Sequence, residues 1–295
     1  MRANLPARAR GVGILLLFVA GCGAPSAAVT APGSLAASVS GGRPVSAPAA
    51  PAAVPRAVPA AVPAPAAARR PARPLQGRIV ALDPGHNGGN GAAPAVIAQR
   101  VPNGAGGTKE CDTAGASTDD GYPEHAFTYD VAQRTAALLR ARGARVVLTR
   151  PDDRGVGPCV DRRAAIGNAA HADLAVSIHA DGGPPTGRGF HLILGSLGPV
   201  SQGRTAATSH DLALALRAAL ERKTGTRPAD YTAGSDGLDA RGDLAGLNLS
   251  RVPKVFVECA NMRSAADARL LRDPGWRQRV AVALADGVSS TLENR

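Results

Sequence analysis

The sequence predicts an α/β fold with a mostly parallel or mixed twisted sheet of about six strands and helices on both faces. Short apolar runs that end in turns alternate with segments whose apolar residues recur at helical spacing. The strand-like runs are apolar at consecutive positions, as in the sequence LAVSI at residues 174–178. Such runs are typical of strands that are covered by helices on both sides.

The elements can be assigned in order along the chain. Apolar runs at 78–82, 144–148, 174–178, 189–194 and 255–257 predict strands, and segments at 123–142, 161–170, 206–223 and 274–292 predict helices. Pro123 suits a first helical turn, and Gly143 suits the end of that helix. Residues 87–122, rich in Gly, Asn, Thr and Asp, predict a long loop or hairpin, and such loops are usually functional.

The N-terminus has the pattern of a bacterial export signal. Basic residues precede a short apolar run at residues 12–20, which is too short to span a membrane. The run ends in VAGC, which resembles a lipobox, so residues 1–22 predict a lipoprotein signal peptide with Cys22 lipidated. A conventional signal peptide with an incidental Cys is the alternative, although free Cys is uncommon in exported chains. We therefore expect an exported protein that is lipid-anchored to the outer face of the cytoplasmic membrane.

Two further segments follow the signal. Eleven prolines among Ala and Val in residues 23–75 predict a disordered linker, and residues 76–295 predict one catalytic domain. The chain has a net charge of +11, but residues 1–75 contain eight Arg and no acid, which leaves 26 basic and 23 acidic residues in the remainder. This distribution argues against nucleic acid as a partner. The basic segment either favours an anionic membrane or wall polymer or is a plain solvated linker. Nothing in the sequence indicates more than a monomer.

Three polar residues lie where predicted strands end. His86 ends the sequence LDPGH, His179 lies in SIHAD, and Glu258 lies in VFVEC. In open α/β sheets the functional crevice lies beyond the carboxyl ends of the strands, so we expect these side chains to converge. Each has an ordinary explanation when taken singly, as a turn or as a structural residue at the end of a strand.

The first long helix begins with Glu124, where the helix dipole alone would favour an acid. The ordered set of DPGH, this Glu, SIHA and a late strand ending in Glu resembles the zinc-dependent N-acetylmuramoyl-L-alanine amidases of bacterial cell-wall turnover. The resemblance covers residues 78–295, and the segments GPCVDRR and DLAGLNL are most similar to actinobacterial members. It implies that His86, Glu124 and His179 bind Zn²⁺ and that Glu258 is the catalytic acid/base.

The implied reaction is hydrolysis of the amide bond between N-acetylmuramic acid and the L-alanine of the peptidoglycan stem peptide. Two His and one carboxylate leave a fourth zinc position open for water, and zinc lowers the pKa of that water. Glu258 would accept its proton and deliver it to the leaving amine. Cys259 and Ala260 stand where many members have Gly-Phe, which changes the packing beside Glu258. The alternatives are another zinc peptidase or amidohydrolase acting on wall peptides, or a non-catalytic peptidoglycan-binding lipoprotein.

Three cysteines remain after residue 22. Cys111 and Cys159 lie in polar surroundings rich in Gly and Asp, which predicts a disulfide between them in an exported protein, with Cys259 free beside a buried strand. A pairing that involves Cys259 is the alternative. The predicted bridge would hold residues 87–122 near the site, where this segment could act as a lid.

Other polar residues near the motifs have less specific expectations. Asp83 and Asp181 either orient an imidazole N–H or cap turns. Arg162 and Arg163 are expected to form salt bridges on a helix surface rather than to bind substrate carboxylates. His125 either supports Glu124 or is an exposed helix residue. The remaining histidines, expected to be structural or solvent-facing, are His171, His191 and His210.

Overall fold

A computed structural model describes residues 73–232, 234 and 236–295. The predicted signal peptide, the lipidation site Cys22 and nearly all of the predicted linker lie outside the described residues. Leu75, at the end of that linker segment, is fully buried in the main core. No helix within the described part of the chain is long and apolar enough to cross a membrane.

The fold is built on one large mixed sheet. The strands are β1 (Ile79–Pro84), β2 (Arg100–Pro102), β3 (Thr108–Glu110), β4 (Arg145–Leu148), β5 (Leu174–Asp181), β6 (His191–Gly195), β7 (Leu238–Arg241) and β8 (Lys254–Asn261). Six of them pair in the order β4-β1-β5-β8-β6-β7. The first four in this order are mutually parallel, whereas β6 runs antiparallel to β8 and parallel to β7. Strands β2 and β3 form a separate antiparallel hairpin. The predicted mixed sheet is confirmed.

Helices cover both faces of this sheet. They are α1 (Pro94–Ile97), α2 (Glu124–Ala141), α3 (Val160–Ala169), α4 (Gly203–Thr224), α5 (Ala245–Asn248), α6 (Ala265–Arg272) and α7 (Pro274–Glu293). The main core joins α2, α4 and α7 to one face, where Val80, Val176 and Val257 are fully buried. Helix α3 lies on the opposite face, where Gly167 approaches Ala81 of β1. That face also carries the polar residues of the candidate site.

Two strands extend further than their apolar runs predicted. Strand β8 continues past Val257 to Asn261, and β5 continues past Ile178 to Asp181. Glu258 and His179 therefore lie inside paired strands instead of following them. The extension is possible because backbone pairing needs no apolar side chain on the face that lines a cavity. It fixes both side chains on rigid elements.

Outside residues 87–122, three elements of the fold were not predicted: strand β7, helix α6 and the single-turn helix α5. Strand β7 has the sequence LDAR, whose polar residues give no strand signal, and it forms by pairing with β6. Helix α6 is a short segment of eight residues rich in Ala and Arg. Residues 87–122, predicted as a long loop or hairpin, contain the β2–β3 hairpin. Contacts with the rest of the fold decide the structure of β7, α6 and the β2–β3 hairpin, because none of these segments has a long enough apolar pattern of its own.

A disulfide connects this loop to the main fold. Cys111 and Cys159 are bonded, as predicted, and Cys259 is buried and forms no disulfide within the described part of the chain. The bridge joins the residue after β3 to the residue before α3. Beside it, the Val160 N–H donates to the Cys111 carbonyl at 2.8 Å. The disulfide thereby holds the β2–β3 hairpin next to the carboxyl end of β1.

Candidate metal centre

The structure brings the three predicted metal ligands together. His86 follows β1, Glu124 is the first residue of α2, and His179 lies in β5. One ligand atom from each side chain lies within 4.8 Å of the others. This convergence arises because β1 and β5 are parallel neighbours whose carboxyl ends meet at one edge. Helix α2 begins at the same edge and supplies the carboxylate.

Glu124 lies between the two imidazole rings. Its Oε2 is 3.3 Å from Nε2 of His86, and its Oε1 is 2.9 Å from Nδ1 of His179. Each oxygen also accepts a backbone N–H, from Ala116 at 2.8 Å and from Ala180 at 3.2 Å. The carboxylate is buried, and these contacts to both of its oxygens hold it in one orientation. Glu124, the first residue of α2, therefore contacts both imidazole rings in addition to its favourable position in the helix dipole.

The ring of His86 is oriented by a residue that the sequence analysis missed. Its Nδ1 lies 3.0 Å from Oδ1 of Asp112 and 3.2 Å from the Thr113 carbonyl. A proton on Nδ1 would donate to these acceptors, which leaves the Nε2 lone pair facing Glu124. His86 has a left-handed backbone, with φ of 56°. Asp83, one of the two residues considered for this orienting role, makes no such contact. The only sequence signal for Asp112 is that it follows Cys111 of the predicted disulfide.

The ring of His179 is held by packing. It stacks on Phe256 with a centroid distance of 3.9 Å and an interplanar angle of 15°. Gly85 lies against the same ring, and a Cβ at this position would overlap it. The Gly of the DPGH sequence is therefore needed for close approach to the ring.

The predicted base, Glu258, lines the same cavity. Its Oε2 is buried, and it has no hydrogen-bond partner among the described residues. Burial raises the pKa of Glu258 well above its ordinary value, and the negative charges of Glu124 and Asp181 raise it further. A buried carboxyl oxygen without a partner is costly, so this arrangement is suited to a group that exchanges a proton or binds a ligand.

The charge of the cluster favours a bound cation. Burial opposes the charge on His86, but Glu124 and Asp112 raise its pKa to about 10. Burial likewise opposes the charge on Glu124, but His86 and His179 hold its pKa below the usual range. The pKa of His179 is lowered by burial. The buried carboxylate of Glu124 therefore attracts one positive charge to the cluster, which a proton or a metal ion can supply.

A network of buried charges lies behind the ligands. Asp83 contacts Lys254 at 2.9 Å and Arg163 at 3.1 Å, and Arg163 also contacts Asp112 at 3.1 Å. The expectation that Arg163 would lie on the helix surface is wrong, because its side chain is only 4% exposed. Arg162 is exposed. Two buried carboxylates, Asp83 of β1 and Asp112 of the loop after β3, draw Arg163 inward, and helical spacing does not reveal these contacts.

The other histidines are outside the metal cluster. His125 pairs with Asp153, with Nδ1 2.8 Å from Oδ2. His191 is buried in β6 and lies opposite Glu258 in the antiparallel register, with no hydrogen-bond partner for Nδ1 among the described residues. His171 and His210 are exposed, as the alternatives allowed.

The cluster forms the floor of a cavity of about 550 Å³. One wall is the β2–β3 hairpin, which contributes Arg100, Lys109 and Glu110. Leu244 and residues of α5 also line the cavity, and this segment contacts the hairpin, where the side-chain amide of Asn248 donates to the Asn103 carbonyl. A set of two half-buried His and one buried carboxylate beside such an opening has the donor types of catalytic zinc sites, which keep one position open.

This chain belongs to the N-acetylmuramoyl-L-alanine amidase family, whose model matches residues 80–290. The amidase Rv3717 of Mycobacterium tuberculosis is 44% identical over 227 residues, which are 77% of this chain and 91% of that protein. The crystal structure of the amidase Ami1 from Mycobacterium smegmatis matches with a TM-score of 0.70 and 45% identity, over 75% of this chain and 99% of that one. Ami1 from Mycobacterium abscessus matches with a TM-score of 0.69 and 43% identity, over 74% and 100%. The family and the similarity to actinobacterial members are as the sequence analysis expected.

Proposed function

We propose that this protein hydrolyses the amide bond between N-acetylmuramic acid and the L-alanine of the peptidoglycan stem peptide. Membership of the amidase family supports the substrate class. One observation carries the proposal: the cluster of His86, Glu124 and His179 shares a cavity with Glu258, whose Oε2 has no hydrogen-bond partner among the described residues.

His86, Glu124 and His179 would hold a Zn²⁺ ion. The residues fit this ion because they offer two imidazole nitrogens and a carboxylate whose buried charge needs a cation. When bound, zinc lowers the pKa of water and polarises a carbonyl, which is the chemistry that amide hydrolysis needs. The nitrogens that face Glu124 are Nε2 of His86 and Nδ1 of His179.

Glu258 acts as the general acid/base. Its buried Oε2 has no partner among the described residues and is free to accept a proton from the attacking water. Its raised pKa makes it a stronger base than an exposed carboxylate, and the protonated acid then supplies the leaving amine with its proton. The pairing of β8 with β5 and β6 fixes the backbone position of this group.

The cavity wall favours an anionic peptide. Arg100 and Lys109 lie on the hairpin at the edge of the cavity, where Arg100 is exposed and Lys109 is half-buried. Stem peptides carry carboxylates, which these cations attract. The hairpin is tied to α3 through the Cys111–Cys159 bridge, so its cations stay beside the metal centre. Its role as a lid remains part of this proposal.

The same proposal includes the cellular location. A wall substrate is consistent with an exported monomer that does not bind nucleic acid. Residues 1–22 would serve as the lipoprotein signal, Cys22 as the lipid anchor and residues 23–75 as the tether of the domain at 76–295. Replacing Cys22 with Ala is expected to release the protein from the membrane fraction, and unchanged membrane association would exclude the anchor.

Digestion of purified muropeptides tests the reaction. The expected products carry a free lactyl carboxylate and a free L-alanine amine, identified by mass spectrometry. New termini within the peptide would favour the alternative zinc peptidase. Binding without cleavage would favour the non-catalytic wall-binding lipoprotein. The Glu258→Gln variant is the control, because it should bind the same fragments without cutting them.

A further inference from the structure

We infer that Asp112, held by Arg163, is a positioning residue that orients His86 for metal binding. This inference rests on the proposed metal centre and assigns to two residues outside the ligand set a role in metal affinity. Asp112 contacts the ring of His86, and Arg163 contacts both Asp112 and the His86 backbone.

The first step is the orientation of the ring. Asp112 Oδ1 lies 3.0 Å from Nδ1 of His86, and Nε2 on the other side of the ring faces Glu124. Donation from Nδ1 to a carboxylate fixes both the tautomer and the ring rotation of a ligating His. The Thr113 carbonyl lies slightly further from Nδ1, at 3.2 Å. It supports the same tautomer but carries no charge.

The second step is the restraint on Asp112 itself. Arg163 donates from Nη2 to Asp112 Oδ2 at 3.1 Å and to the His86 carbonyl at 2.8 Å. One guanidinium group therefore holds the carboxylate and the backbone of the ligand together. This second contact matters because His86 has the left-handed conformation, which is uncommon for residues other than glycine.

The third step is the charge balance behind the pair. Arg163 also contacts Asp83 at 3.1 Å, and Asp83 contacts Lys254 at 2.9 Å. Anions and cations thus alternate from Lys254 to Asp112, and these four side chains are almost fully buried. Such a network keeps a rigid geometry, because losing one member leaves an uncompensated buried charge.

A purely structural role for Asp112 would have a different signature. Its Oδ1 also accepts the Thr113 N–H at 2.8 Å, which is a local turn contact. Loss of that contact alone would destabilise the loop without acting through His86. The test must therefore separate metal affinity from folding stability.

The protein contains a matched control for this arrangement. Arg150 contacts Asp153 at 2.9 Å and the His125 carbonyl at 2.9 Å, and Asp153 Oδ2 lies 2.8 Å from Nδ1 of His125. These contacts repeat those of Arg163, Asp112 and His86, but His125 is not in the metal cluster. A change at Asp153 therefore removes the same kind of contact without touching a ligand.

Zinc affinity is measured on the metal-free full chain by competition with a chromophoric chelator, and the melting temperature of each metal-free protein is recorded in parallel. Asp112→Asn is expected to weaken zinc binding roughly 10- to 100-fold, whereas Asp153→Asn leaves it within about twofold of wild type. An Asp112→Asn affinity equal to wild type would overturn the inference. Absence of zinc binding by the wild type would instead overturn the proposed metal centre.

A double-mutant cycle covers the case in which Asp112→Asn also lowers the melting temperature. If Asp112 acts through His86, the substitution will not weaken the residual zinc binding of the His86→Ala variant further. An equal loss in both backgrounds would show a general structural effect and would overturn the positioning role.

Discussion

Glu258 of β8 lies directly beside His179 of β5 in the parallel register of the two strands. Adjacent strands are about 4.8 Å apart, so the proposed base and a proposed ligand share one face of the sheet at short range. On the other side of β8, Glu258 lies opposite His191 of β6. Two central strands, rather than loops, therefore fix the position of the proposed base relative to the proposed metal ligand.

Replacing Glu258 with Gln should abolish turnover while zinc remains bound. The amide keeps the shape of the side chain but cannot accept the proton, so muropeptide hydrolysis should fall by about 10²–10⁴-fold. Hydrolysis rates and metal content are measured on the same preparation. Glu221→Gln is the control, because Glu221 is 41% exposed on α4. Loss of zinc from the Glu258 variant would make Glu258 a ligand instead of a base.

Replacing Gly85 with Ala should displace the ring of His179. The added Cβ would overlap the ring, which is also stacked on Phe256. Zinc affinity and hydrolysis should both fall at least tenfold, as expected when a ligand is misplaced. Gly91→Ala is the control, since a Cβ there meets no atom closer than 4.0 Å. Normal zinc affinity in Gly85→Ala would contradict the tight fit around His179.

Replacing Asp83 with Asn should destabilise the fold by about 3–5 kcal/mol at neutral pH, because Lys254 and Arg163 lose their shared buried anion. Burial opposes ionisation of Asp83, but these two cations hold its pKa below the ordinary value. Its stabilising contribution is therefore fully present above the unfolded-state pKa of about 3.9 and is lost as the pH falls through the folded-state pKa.

Urea unfolding of the metal-free proteins between pH 7 and pH 3 measures this effect. The difference between wild type and Asp83→Asn should shrink toward the acidic end. A difference that stays constant with pH would contradict the assigned ionisation. Asp243→Asn is the control and should cost less than about 1 kcal/mol, because Asp243 pairs with Arg241 at the surface and is 63% exposed.

Removing the Cys111–Cys159 bridge by replacing both residues with Ser should lower the free energy of unfolding by about 2–5 kcal/mol. The bridge joins residues 48 positions apart and constrains the unfolded chain accordingly. Chemical denaturation with and without reductant measures the difference. Reductant should destabilise the wild type but not the double variant, and an equal effect on both would contradict the assignment.

The motifs at strand ends allowed much of this site to be predicted. Apolar runs before His86, His179 and Glu258 located three of the four main residues, because parallel strands bring their carboxyl ends together. Glu124 required the family resemblance, since an acid at a helix start has an ordinary explanation.

The supporting residues could not be predicted in the same way. Asp112 and Arg163 meet across a separation of 51 positions in sequence, through a loop with no regular pattern. Strand β7 also escaped prediction, because its stability comes from pairing with β6 and not from its own apolar residues. Contacts between distant polar groups depend on tertiary structure, which periodicity does not encode.

Reconstitution of the metal-free protein with zinc tests the central claim most directly. Zinc is titrated into the chain, and the release of L-alanine amines from a defined muropeptide is measured at each addition. We predict that activity is absent without metal and reaches its maximum at one zinc ion per chain. Full activity of the metal-free protein, or cleavage at a different bond after zinc is added, would contradict the account.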